Sequence, residues 1–254
     1  MNQEERRIKL IQALMAERTD MEDIQIPQDV VEQETFLRAL MNLREPGLPA
    51  EEVLENQNAY LKELLFDRGI MEFADLPEMK PHVRLWQGDI TLLECDAIVD
   101  PANPDLLGCW TPGHSCIDNA VHTFAGVQLR DFCNELTQQD NVPVGKARIT
   151  PGFNLPAAHV IHTVAPYNTR IFDDRVKREL AKCYTSCYKL AKAEGCKTIA
   201  FPTLASSRST RDNQAIARVA IRTIRSLQHE SNPVDVAFIM FPQAEYQIYQ
   251  SMLS

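Results

Sequence analysis

Beyond residue 82 the apolar positions alternate between two periods. Short, almost unbroken apolar runs at His82–Gly88, Cys95–Val99, Ala147–Phe153, His159–Val164, Thr198–Leu204 and Val234–Phe241 predict strands. Between them the apolar residues recur at helical spacing. Asp118–Leu136 places Val121, Phe124, Ala125, Leu129, Phe132 and Cys133 on one side of a single helix. Arg175–Ala193 gathers Val176, Leu180, Cys183, Cys187, Leu190 and Ala191 into one stripe and stops at Gly195. Asp212 suits the N-cap of a helix that runs to about Gln228 and buries Ile216, Val219, Ala220 and Leu227. A short helix from Gln243 follows. Doubly buried strands alternating with amphipathic helices predict a mostly parallel sheet covered on both faces.

Residues 1–75 carry only the helical period. Ile8, Ile11, Leu14 and Met15 share a face, as do Phe36, Leu37, Leu40 and Met41, and further on Val53, Tyr60, Leu61, Leu64 and Leu65. Pro27, Pro46 and Pro49 punctuate them. The expectation is a helical N-terminal extension over residues 1–75, linked through Ala74–Pro81 to an α/β domain over residues 76–254.

Composition narrows the class. At 44 % hydrophobic, 254 residues bury a substantial core. A net charge of −9 excludes a general nucleic-acid binder. No apolar run approaches the ~18 residues that span a bilayer. The charged start MNQEERRIKL does not read as a leader, so no membrane association and a cytoplasmic location are expected. Seven cysteines without an export signal read as reduced thiols, some in the core and some available to metal. An anionic ligand remains compatible with helix N-termini. Only nine glycines are present, few for wrapping phosphates with flexible backbone.

In a parallel sheet, ligands sit beyond the carboxyl ends of the strands. Gly88–Thr91, Pro101–Asn119 and Ala205–Asp212 fall there. The middle segment concentrates chemistry: Cys109, His114 and Cys116 follow a C-x4-H-x-C spacing, two thiols and an imidazole of the kind zinc prefers. Spacing alone leaves two readings open, a three-ligand metal site or two buried thiols beside a loop histidine. No fourth ligand lies close in sequence; His122 falls one turn down the following helix. Asp118 near that helix start is either a cap or a carboxylate for a sugar hydroxyl or a proton. Asn103 is either a turn residue or an amide directed at a ligand. Arg218, Arg222 and Arg225 read as a solvated face, and Cys183 with Cys187 as core.

Taken together, Gly88-Asp89-Ile90-Thr91, Asp96-Ala97-Ile98-Val99, Ala102-Asn103, Ile117-Asp118-Asn119-Ala120-Val121-His122 and Ile161-His162-Thr163-Val164-Ala165-Pro166 resemble the macrodomain signature. The insertion from Gly108-Cys109 to His114-Ser115-Cys116-Ile117-Asp118-Asn119 resembles the zinc-containing subgroup of MacroD-type microbial macrodomains, as does the helical extension. The resemblance implies a three-layer α/β/α fold with a mostly parallel mixed sheet. It implies binding of ADP-ribose and removal of mono-ADP-ribose from acidic side chains of proteins. In some microbes such proteins sit beside a sirtuin-type ADP-ribosyltransferase, which names a partner system. Asp89 would meet the adenine amino group, Ile90 would line its pocket and Phe241 would stack near it. Ala102 and Asn103 would meet the ligand, with Asn103 and Asp118 facing the distal ribose. Cys109, His114 and Cys116 would hold Zn2+, whose open position would polarise a ribose hydroxyl or a water, with Asp118 orienting or deprotonating the nucleophile. Ser206, Ser207, Arg208 and Ser209 would face the diphosphate.

Two departures stand out. Asp100-Pro101-Ala102-Asn103 replaces the family's usual Asn-Ala-Ala-Asn, and Ala205-Ser206-Ser207-Arg208-Ser209 replaces its usual Ser-Thr-Gly loop with an aromatic. Glycine admits close backbone approach to a phosphate, whereas a serine held left-handed costs roughly 1–2 kcal/mol. Arg208 and Arg211 either reach the diphosphate instead or point to solvent. Rival readings on the same residues are a non-catalytic ADP-ribose reader with structural zinc, a hydrolase of O-acetyl-ADP-ribose or another free derivative, and a member that has lost its ligand.

Overall fold

The computed structural model describes residues 1–138, 140–166, 172–205 and 210–254, without the side chains of residues 210 and 211. Three helices come first: α1 (Gln3–Ala16), α2 (Val30–Leu43) and α3 (Glu51–Arg68). Local chemistry starts them. Asn2 and Glu5 form a reciprocal capping box on α1 (2.8 and 3.0 Å). The Asp29 carboxylate accepts from Val31 and Glu32 at the start of α2. Leu10, Ile11 and Leu14 of α1 meet Leu37, Leu40 and Met41 of α2 and Tyr60 and Leu61 of α3 in a core of their own.

Short strands β1 (Met71–Glu72), β2 (Glu78–Lys80), β3 (Val83–Gln87), β4 (Leu93–Glu94) and β5 (Ala97–Pro101) follow. Then come α4 (Ile117–Ala125), α5 (Val127–Thr137), β6 (Ala147–Pro151), β7 (His159–Thr163), α6 (Asp174–Ala193), β8 (Thr198–Phe201), α7 (Thr210–Leu227), β9 (Asp235–Met240) and α8 (Gln243–Leu253). The main sheet has the order β2-β3-β9-β8-β5-β7-β6. Its five inner strands are parallel, and β2 and β6 pair antiparallel at the two edges. Helices cover both faces, as the alternating pattern predicts. Among the described residues no helix is long and apolar enough to cross a membrane.

Several boundaries differ from the sequence expectation, each for a local reason. The single helix expected over Asp118–Leu136 is two, broken at Gly126, whose φ of 97° ends α4. At that φ an L side chain is strained, which is why glycine occupies the break. The break rotates Phe132 out of the core; it is 37 % exposed and edge-on to Phe153. The α7 helix starts at Thr210, so Asp212 lies in its first turn rather than at the N-cap. Ala74–Pro81 is not a plain link, since Glu78–Lys80 forms edge strand β2. The strand expected from Cys95 starts at Ala97 because the Asp96 carboxylate turns to accept the Lys197 and Thr198 amides at the entrance to β8. Cys183 and Cys187 lie in the core, and Arg218 and Arg222 are exposed, as their positions predict.

Candidate active site

Because β3, β9, β8, β5 and β7 run parallel, their carboxyl ends share one edge of the sheet. Asp89 follows β3, Asn103 follows β5 and Phe241 follows β9. The Gly88 amide donates to Met240 (3.2 Å), which sets Asp89 beside Phe241. Asp89 Oδ1 accepts from the Thr91 amide and hydroxyl (2.9 and 2.7 Å), and Oδ2 from Arg68 at the end of α3 (2.5 Å). Arg68 also stands over the Phe124 ring at 4.0 Å. Ile90 and Ala102 are buried, and Phe241 is 73 % exposed. Ser206, Ser207, Arg208 and Ser209 lie outside the described residues.

Asn103 is exposed, and its Nδ2 donates to Asp118 Oδ2 and to the Gly108 carbonyl, both at 3.4 Å. The two expected sugar-facing residues are therefore together. Asp118 lies in the first turn of α4 without capping it. The cap is Cys116, whose Sγ accepts the Asn119 amide at 3.4 Å. Behind Asp118 the helix buries His122, 3.6 Å from its carboxylate. Gly108 permits the loop above to lie on that imidazole; a Cβ there would meet the ring at 2.7 Å.

Beneath lies a polar nest that the sequence did not announce. Asp100 on β5 and His162 on β7 are register partners and are fully buried. Their side chains pair at 2.9 Å, and the far nitrogen of His162 meets the Thr150 hydroxyl at 3.0 Å. The departure at Asp100 thus has its partner. Pro101 is tolerated because it ends the strand, and the Ala102 amide takes the next bond, to Thr163 (3.0 Å). Burial pushes the Asp100 carboxyl up to about 7. Burial, then the Asp100 charge, holds Asp118 well above the ordinary carboxylate range. Burial, then His162 and Arg130, holds His122 well below the usual imidazole range, so its neutral form is favoured. Asp100 Oδ1, Asp118 Oδ1 and both His122 nitrogens are buried with no hydrogen-bond partner among the described residues.

On the loop above, the donor atoms of Cys109, His114 and Cys116 all lie within 4.8 Å of one another. Cys109 Sγ and His114 Nδ1 are 3.6 Å apart. The donor set fits a zinc ion in type and grouping. Burial, with Cys109 and Asp118 adding to it, pushes the Cys116 thiol up to about 12, so this thiol resists ionising on its own. A divalent cation supplies the opposing charge that makes such thiols ligands. His122 belongs to the buried group instead, beside Cys133 and His162.

Sequence reasoning missed Arg38, Asn42, Arg68, Arg130 and His162, which the fold brings here. Only His162 carried a signal, as a polar residue inside an apolar strand.

The family model of the macro domain matches residues 99–220. The chain is 40 % identical to the protein-ADP-ribose hydrolase of Treponema medium, with all of both chains covered. It is 37 % identical to the human ADP-ribose glycohydrolase MACROD2 over 68 % of this chain and 39 % of that one. The solved Trypanosoma brucei macrodomain in complex with ADP-ribose superposes with a TM-score of 0.63 at 26 % identity, covering 85 % of this chain and 95 % of that one. With its sheet order, its strand-end site and a relative matched along its full length, the chain belongs to the macrodomain family, in the MacroD-type branch.

Proposed function

We propose that this enzyme removes mono-ADP-ribose from acidic side chains of modified proteins, with zinc held by Cys109, His114 and Cys116. The observation that carries the reading is the placement of Asn103, Asp118 and the three metal donors on one loop and helix start, at the ligand-binding edge of the sheet. The names of the relatives support the same chemistry.

The residues divide the work along a ligand laid over that edge. Asp89, steadied by Arg68 and Thr91, presents a carboxylate to the adenine amino group. The exposed Phe241 ring offers a stacking face beside it. Ile90 and Ala102 form the apolar floor. Ser206–Ser209, which follow β8 in the sequence, would supply amides and hydroxyls to the diphosphate. Asn103 orients the distal ribose through its side-chain amide. Asp118, whose carboxyl burial and the Asp100 charge hold above the ordinary range, takes a proton from the attacking water. Zinc held by Cys109, His114 and Cys116 would supply Lewis-acid polarisation at this end of the site. Water adds its oxygen to the anomeric carbon, the bond to the protein carboxylate breaks, and the proton leaves with the products.

The test incubates the zinc-loaded protein with a target mono-ADP-ribosylated on acidic side chains, beside Asp118→Asn and Cys116→Ser. Release by the parent and loss in both variants is expected. Parent-rate hydrolysis by a metal-free Cys116→Ser would overturn the role of zinc, and by Asp118→Asn that of the base.

A further inference from the structure

The loop that carries the metal donors has little to hold it in place from within. Residues 102–116 form no regular element, and between Leu107 and Cys116 only Gly108 is buried. His114 is exposed, and Cys109 and Cys116 are half-buried. Much of what fixes the loop comes from the N-terminal helices, more than sixty residues earlier in the chain.

Two side chains one turn apart on α2 reach it. Asn42 Oδ1 accepts the Gly113 amide (3.0 Å) and the Asn119 side-chain amide (2.9 Å). Its NH2 donates to Thr123 on α4 (3.1 Å). The Arg38 fork donates twice to Asn119 Oδ1 (2.9 and 2.6 Å) and once to the His114 backbone carbonyl (3.4 Å). Asn119 passes the contact on, donating to the Thr111 carbonyl (3.1 Å). Asn42 and Asn119 are 1 % and 0 % exposed, so these bonds are shielded from water. From the other side Arg130 ties the Leu107 carbonyl (2.6 Å) to the Asn42 carbonyl (2.8 Å) and lies over Trp110 at 4.1 Å. The backbone of residues 107–114 is thus pinned at Leu107, Thr111, Gly113 and His114.

We propose that Arg38 and Asn42 are positioning residues for the Cys109/His114/Cys116 donor set, so that the helical extension is part of the metal centre. This rests on the zinc reading above. Groups that orient metal ligands without touching the ion commonly change affinity 10–100-fold when removed. Pre-set ligands spare the metal the cost of ordering a loop on binding. Arg38 needs its planar fork, because two acceptors on different segments are held by one side chain.

The test uses the full chain and measures zinc affinity by competition with a chromophoric chelator, with the thiolate-to-cobalt charge-transfer spectrum as the second readout. Arg38→Met and Asn42→Ala are each expected to weaken zinc roughly 10–100-fold and to alter the cobalt spectrum. Arg38→Lys is expected not to recover the parent value. Arg6→Gln, which breaks a pair with Glu63 within the same helical layer, is the control and is expected to bind as the parent does. Thermal melting of the metal-free variants shows that they fold; if Asn42→Ala does not, the half-buried Arg38 decides alone. Parent-like affinity and spectrum in the folded variants would overturn this proposal and leave the zinc reading standing. A parent chain that binds neither ion overturns both.

Discussion

On β5, Ala97 and Val99 point to the face covered by α6, α7 and α8, while Ile98 and Asp100 point to the face covered by α4 and α5. On β7, Ile161 faces the first side and Val160 and His162 the second. The first face is a packed apolar layer in which Tyr184, Phe201, Phe238 and Tyr249 stack at 5.1–6.5 Å between ring centroids. The second is apolar at the amino ends of β5 and β7 and polar towards their carboxyl ends, where Asp100 and His162 pair. One set of strands therefore carries both stability and chemistry, separated by side-chain alternation and by position along the strand. Among the described residues the buried carboxylates and imidazoles, Asp100, Asp118, His122 and His162, all lie towards the end where a ligand arrives, and none is buried on the opposite face.

The comparison is broken most severely at Asp118. Asp118→Asn is expected to lower hydrolysis by about 10²–10⁴-fold, in the range of a lost general base, with a melting temperature no lower than the parent's. A large stability loss instead would mean that the nest is structural. Phe201→Ala on the apolar face should do the reverse. It removes a fully buried ring and should cost about 3–5 kcal/mol in urea unfolding, with activity per folded molecule retained. A mid-sized effect distinguishes the faces by pH. The Asp100 carboxyl titrates near 7 in the fold, against ~3.9 when unfolded, so the folded state binds the proton more tightly. Its contribution is fully present below about pH 4 and fades as pH rises through about 7. Relative to Asp100→Asn, the parent should therefore lose several degrees of melting temperature between pH 5 and 8, and parallel curves would refute the assignment. The smallest effect belongs to neither face. Arg175→Gln, which breaks an exposed pair with Glu179 one turn away, should change stability by less than about 1 kcal/mol in the same urea assay.

How much of this was legible follows from the range of each signal. Strands and helices showed because burial imposes a period on neighbouring residues, and the C-x4-H-x-C spacing showed because its donors lie on one loop. Gly126 did not register as a break, because the apolar stripe continues on both sides of it. The Asp100–His162 pair was hidden because its members lie 62 residues apart and meet only through strand register. Arg38 and Asn42 looked like any polar residues on a surface helix. Their partners at Gly113 and Asn119 are 71 and 81 residues away. Local chemistry can be read from a sequence, whereas what steadies it belongs to the topology.

The antiparallel borders of the sheet bear on how the protein behaves in a crowd. The inner strands β8 and β9 are short, uncharged over most of their length and rich in β-branched and aromatic residues, the composition that pairs readily between molecules. Neither is ever at a rim. On one side stands β2, three residues long with Glu78 and Lys80, and on the other β6, with Arg148 and a terminal Pro151. Short, charged or proline-ended borders are poor templates for a second sheet. Intermolecular strand pairing is thereby deferred to the unfolded chain, so resistance to aggregation should track global stability rather than the condition of the ligand-binding edge.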